Sequence, residues 1–138
     1  MAYTIRKVCY FYTTVEDKPG EAFKLLSNLS AIGINLLAFT AIPIGPRRTQ
    51  ISLFPDDDCQ MKDEAQKAGI KLDGPHQALL VQGDDELGAL AEIHNKLYQA
   101  DVNVYASNGV TDGRGNYGYL IYTRPQDHDR AIKVLDIK

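Results

Sequence analysis

Asp17, Pro19, Gly20 and Asn35 are the residues whose types and spacing suggest chemistry. Pro19 sets φ for a first helical turn, Gly20 lets a ligand approach the backbone, and the free amides of a helix start donate to an anion. Such a turn can hold a carboxylate. Asp17 can take an ammonium through a charge-assisted bond, and the Asn35 amide both donates and accepts, so it can bridge the two charges. Together these groups match a free amino acid. Asp and Gly also shape turns for purely local reasons, so repetition is what singles this set out. Asp85, Leu87, Gly88 and Asn103 stand 68 positions further on. The same shift carries Leu25 to Ile93, Leu29 to Leu97, Ala38 to Ala106 and Phe54 to Tyr122, with no insertion.

The elements that must position these residues can be read from patterning. Residues 5–15 are rich in β-branched and aromatic types and predict a strand that feeds the turn 17–20. Ala22, Leu25, Leu29 and Ile32 follow helical spacing, and Gly33 stops that helix before a strand over 35–43. In this reading Asn35 faces back towards the turn. A turn at 44–48 and a strand over 49–54 complete a hairpin, the acids 56–58 open a helix over 57–68, and residues 69–72 supply a fourth strand. The second copy retraces this order: a strand over 77–82, a turn at 83–88, a helix over 87–100, strands over 102–107 and 117–122, and a helix over 126–135 behind Pro125. The chain stops where the fourth strand of the second copy is due, so that strand is either missing or supplied by the N-terminal residues.

Each copy therefore reads β-α-β-β-α with or without a final β, the split arrangement in which two helices cover one face of an antiparallel sheet. The units are assigned to residues 1–74 and 75–138. About 68 residues make a thin core, which predicts that the units pack on one another and on a second chain.

The turn-helix-strand block Asp17-Lys18-Pro19-Gly20 with Gly33-Ile34-Asn35-Leu36, and its copy Asp85-Glu86-Leu87-Gly88 with Asp101-Val102-Asn103-Val104, resembles a tandem pair of ACT domains. The resemblance implies an α+β chain of two ferredoxin-like units. It also implies a free amino acid bound at an interface between units by the glycine-bearing loop and the Asn. It further implies a non-enzymatic regulator, a homodimer, that acts on a protein partner in trans. The first copy keeps the proline and is the stronger candidate; Leu87 replaces it in the second.

Other classes fit less well. The formal charge of −3 disfavours nucleic acid and anionic membranes. No apolar run approaches the length of a membrane span, and the first residues lack the order of a secretory signal, which places the chain in the cytoplasm. His76, His94, His128, Cys9 and Cys59 show no metal-ligand spacing, no disulfide framework is indicated, and no catalytic triad or phosphate loop is legible. His94 reads as a helix-packing histidine. No cofactor, no metal and no catalytic residue are expected. Two rival readings remain: a ligand-free oligomerisation module, and an RNA binder that uses the aromatic strand Tyr117 to Tyr122.

Overall fold

The computed structural model describes residues 3–137. Its elements run in the order β1 (Tyr3–Glu16), α1 (Glu21–Ala31), β2 (Leu36–Pro43), β3 (Arg48–Pro55), α2 (Asp58–Lys67), β4 (Asp73–Asp84), α3 (Ala89–Gln99), β5 (Val104–Thr111), β6 (Asn116–Thr123) and α4 (Pro125–Val134). Two compact units emerge: residues 9–76, and residues 3–8 together with 77–137.

In the unit formed by residues 9–76, β1 pairs antiparallel with β3, and β3 with β2. Residues 73–76, the start of β4, lie beside β1 as its fourth strand. Leu29 of α1 and Met61 of α2 pack with Phe11, Ile34, Ile51 and Leu53 into one core. The other unit is built alike: β4 pairs with β6 and β6 with β5. Its fourth strand is the N-terminal segment 3–8, which lies beside β4, with the Thr4 hydroxyl donating to the Gln82 carbonyl at 3.4 Å. Of the two sources considered for that strand, residues 3–8 are the one observed. Ala89, Ile93 and Leu97, spaced one helical turn apart along α3, enter its core with Tyr117, Tyr119 and Ile121 of β6.

One strand lies elsewhere than the patterning suggests. Residues 69–72 close α2 instead of pairing: Gly69 is left-handed (φ +75°), its amide donates to Gln66, and the Ile70 amide reaches back to Ala65. Ile70 and Leu72 are apolar because they pack against the core, and the strand proper begins at Asp73. No helix among the described residues is long and apolar enough to cross a membrane.

The 68-residue repeat holds at the level of single bonds. Glu16 pairs with Arg48 as Asp84 does with Asn116, and Leu36 with Pro55 as Val104 does with Thr123. The β-bulges fall between Leu36 and Ala38 and between Val104 and Ala106. The left-handed residue that ends the first helix is Gly33 in one copy and Asp101, with φ +58°, in the other.

Candidate functional site

Each strand-to-helix turn is pinned by the hairpin beside it. The Asp17 amide donates to the Arg47 carbonyl and the Asp85 amide to the Gly115 carbonyl, both at 2.8 Å. In the second copy that hairpin is itself braced, because the Asp112 carboxylate accepts the Arg114 and Asn116 amides at 2.7 and 3.1 Å. Those backbone bonds hold the Asp112 carboxyl below its ordinary range. Gly20 and Gly88 precede α1 and α3 in the left-handed region, with φ of +90° and +83°. Neither helix start carries a side-chain cap; the Glu21 and Ala89 amides donate to the Lys18 and Glu86 carbonyls, and the amides of the next two residues of each helix are the ones that face outward for an external acceptor.

The two turns differ in charge. At the first, Lys18 Nζ lies 2.9 Å from Glu16 and 3.5 Å from Glu21, and Lys24 lies 3.8 Å from Glu21. These exposed pairs lower the Glu16 carboxyl and raise the Lys18 ammonium. Glu21 also places a carboxylate in the first turn of α1, where an incoming anion would sit. By the 68-residue shift its counterpart is Ala89, and that of Lys18 is Glu86. The second turn therefore has no resident anion in the first turn of its helix before Glu92.

An open groove of about 690 Å³ lies at this second turn, lined by residues 85–91, 109–111, Tyr117 and Gly118. Tyr117 is 8% exposed, and its hydroxyl has no protein hydrogen-bond partner. Burial pushes the Tyr117 phenol up, and Tyr3, Glu92, Asp84 and Glu86 act in the same direction. Leu87 is fully exposed at the tip of the turn.

The structure brings Asp85, Leu87 and Gly88 together on this groove, and sets Asp17, Pro19 and Gly20 together, all exposed, on the first turn. It does not bring either Asn to the turn of its own copy. Along β3, the partner of Glu16 is Arg48 and the partner of Leu36 is Pro55, which separates Asn35 from its turn by roughly 23 Å at about 3.3 Å per residue. Asn35 instead donates to the Asp56 carboxylate at 3.3 Å. Asn103 is exposed at the matching end of β5. The expectation that Asn35 faces back to the turn is thereby corrected: a helix of 11 residues lies between them and carries the chain to the far end of the sheet.

Val110, Leu90 and Tyr117 were not legible as groove residues, although Val110 repeats Ile42 and Leu90 repeats Ala22 at the 68-residue shift. The aromatic strand proposed for RNA stacking turns inward. Tyr117 and Tyr119 belong to the core, Tyr122 is buried, and His94 Nε2 meets the Tyr119 hydroxyl at 2.6 Å, which satisfies both groups. Elsewhere, Asp57, Asp58 and Cys59 bring donor atoms within 4.8 Å of one another at the start of α2, where Asp57 already accepts the Gln60 amide as its cap. Burial, then Asp58, raises the Cys9 thiol, which keeps it protonated near neutral pH.

No protein-family model and no curated protein matches the sequence. Solved structures do match, over nearly the whole chain. Protein BT0572 from Bacteroides thetaiotaomicron superposes with a TM-score of 0.77 at 16% identity, covering 97% of this chain and 88% of that one. The ligand-free regulatory subunit of aspartate kinase from Thermus thermophilus gives 0.66 at 12% identity, covering 99% and 96%. A putative C-terminal regulatory domain of aspartate kinase from Porphyromonas gingivalis gives 0.56 at 15%, covering 98% and 94%. The fold of this chain, two tandem ferredoxin-like units of ACT-like topology, is shared with protein BT0572 and with the two regulatory structures of aspartate kinase.

Proposed function

We propose that this chain is a non-enzymatic regulatory protein of the cytoplasm that binds a free amino acid at its second strand-to-helix turn, as a homodimer, and acts on a protein partner in trans. The observation that carries this reading is the groove at residues 85–91, where an uncapped helix start and a left-handed Gly88 meet Asp85 and Glu86 above Tyr117. The amides of α3 suit a carboxylate, and the two acids suit an ammonium. The shared fold with structures named as a regulatory subunit and as a putative C-terminal regulatory domain of aspartate kinase supports the regulatory part. Because Glu21 and Lys18 already occupy the first turn with each other, Asp17, Pro19 and Gly20 form the weaker of the two places. Asn35 and Asn103 stand at the far end of the sheet from the turn of their own copy, and in this reading a second copy of the chain presents them to a turn.

A thermal-shift screen of the twenty amino acids at millimolar concentration tests this. A bound ligand at one hundred times its Kd stabilises by about 2.7 kcal/mol. Stabilisation by a subset is the expected result, and none by any of them contradicts the reading. The second reading, a ligand-free oligomerisation module, is favoured by one observation: β5 is exposed along nearly its whole length and carries Tyr105 and Val110 outward. Dimers by light scattering without any amino-acid response would select it.

A further inference from the structure

We infer that the groove at the second turn selects an amino acid whose side chain carries a second positive charge, the lysine and arginine class; this rests on the amino-acid reading of that groove. The charged side chains that line it, Asp85 and Glu86, are both acidic, and no basic residue lines it. Asp84 and Glu92 stand near enough to act, with Glu86, on the Tyr117 phenol. Glu92 meets Lys96 at 4.0 Å, whereas Asp84, Asp85 and Glu86 have no ion-pair partner among the described residues. The other polar side chains on the groove are Thr111 and Tyr117. The Tyr117 hydroxyl is buried without a protein partner, and a neutral hydroxyl can accept from an ammonium.

This surplus of acid is particular to the second copy. Lys18, Lys24 and Arg48 all act on Glu16 beside the first turn. At the 68-residue shift they become Glu86, Glu92 and Asn116, while the acids Glu16 and Asp17 are kept as Asp84 and Asp85. An amino acid with a neutral side chain brings one ammonium to several carboxylates and adds a carboxylate of its own. A second cation on the side chain offsets that repulsion, and a second carboxylate worsens it, so aspartate and glutamate are rejected. A bare metal ion does not fit the same acids. Among the described residues, only Asp57, Asp58 and Cys59 bring three ligand atoms within 4.8 Å of one another. Carboxylates spread this far apart suit a ligand with two separated positive charges.

Isothermal titration of the full chain with lysine, norleucine, glutamate and cadaverine tests the assignment, with Glu86→Lys as the variant. Norleucine is the lysine skeleton without its second ammonium, and cadaverine is lysine without its carboxylate. Lysine is expected to bind about tenfold or more tighter than norleucine, with no heat from glutamate. Raising NaCl to about 0.5 M narrows the gap between lysine and norleucine. Glu86 is exposed and the first copy already holds a lysine at its place, so Glu86→Lys keeps the circular dichroism and melting of the parent and weakens lysine at least about tenfold. Norleucine or glutamate binding as tightly as lysine, or lysine binding Glu86→Lys unchanged, overturns the cationic assignment while leaving an amino-acid site in place. Cadaverine binding as tightly as lysine, or no binding by any of the four together with no response in the wider screen, overturns the amino-acid reading itself.

Discussion

Replacing His128 by methionine removes a polar group from a place where the other copy holds a thioether. His128 is the fourth residue of α4 and Met61 the fourth of α2; they are 3% and 0% exposed. Neither ring nitrogen of His128 has a protein hydrogen-bond partner. An unsatisfied buried polar group costs about 1–3 kcal/mol, so His128→Met is expected to stabilise the unit by that order at pH 7.5, or roughly 3–9 °C in Tm for a chain of this size. The gain depends on pH. Burial depresses the His128 pKa, Lys7 on β1 lowers it further, and Asp129 on α4 opposes them. A histidine depressed in the folded state binds its proton preferentially in the unfolded state. The parent is therefore at full stability above the unfolded value near 6.5 and loses stability as pH falls through it. That loss reaches at most about 2 kcal/mol by pH 5, at about 1.4 kcal/mol per pH unit. Urea unfolding of parent and variant between pH 5 and 8 measures both effects. A variant less stable than the parent, or a difference that does not grow as pH falls, would refute the account of His128 as an unsatisfied neutral core residue.

Three further outcomes follow from the same structure. Tyr117→Phe removes a buried hydroxyl without a protein partner and is expected to gain about 1 kcal/mol without ligand in chemical denaturation, while any amino-acid stabilisation that uses the hydroxyl shrinks. Gly88→Ala places a side chain in the left-handed region, where no atom lies within 4 Å of the new Cβ; a loss of about 1–2 kcal/mol is expected from backbone strain alone, and a loss well above that would point to a steric role. Asp57→Ala removes the carboxylate that accepts the Gln60 amide and should cost about 1 kcal/mol, read as a lower urea midpoint with an unchanged slope.

The turns, both helix pairs and the repeat were legible because each rests on local signals. Gly20 and Gly88, the apolar spacing of Leu25 with Leu29 and of Ile93 with Leu97, and Pro125 at the start of α4 are all read within a few residues. What was hidden is non-local. Residues 3–8 extend the same strand as residues 9–16 yet complete the other unit, and only pairing with β4 reveals it. Residues 69–72 carry strand-like apolar types because Ile70 and Leu72 cover a core, while their backbone bonds close a helix. Asn35 was placed by its nearness in sequence to the turn, whereas strand register sets it at the opposite end. His128 was weighed only as a metal ligand, and aligning α4 with α2 at Met61 is the signal that marks it as a core residue.

The central claim is that a free amino acid occupies the second turn, and amide chemical-shift mapping of the uniformly labelled chain during a lysine titration tests it most directly. The account predicts saturable shifts at the amides of residues 86–91, with smaller ones at 109–111 and 117–118. Shifts confined to other parts of the chain, or none at millimolar lysine and in the same titration with the other nineteen amino acids, would contradict it.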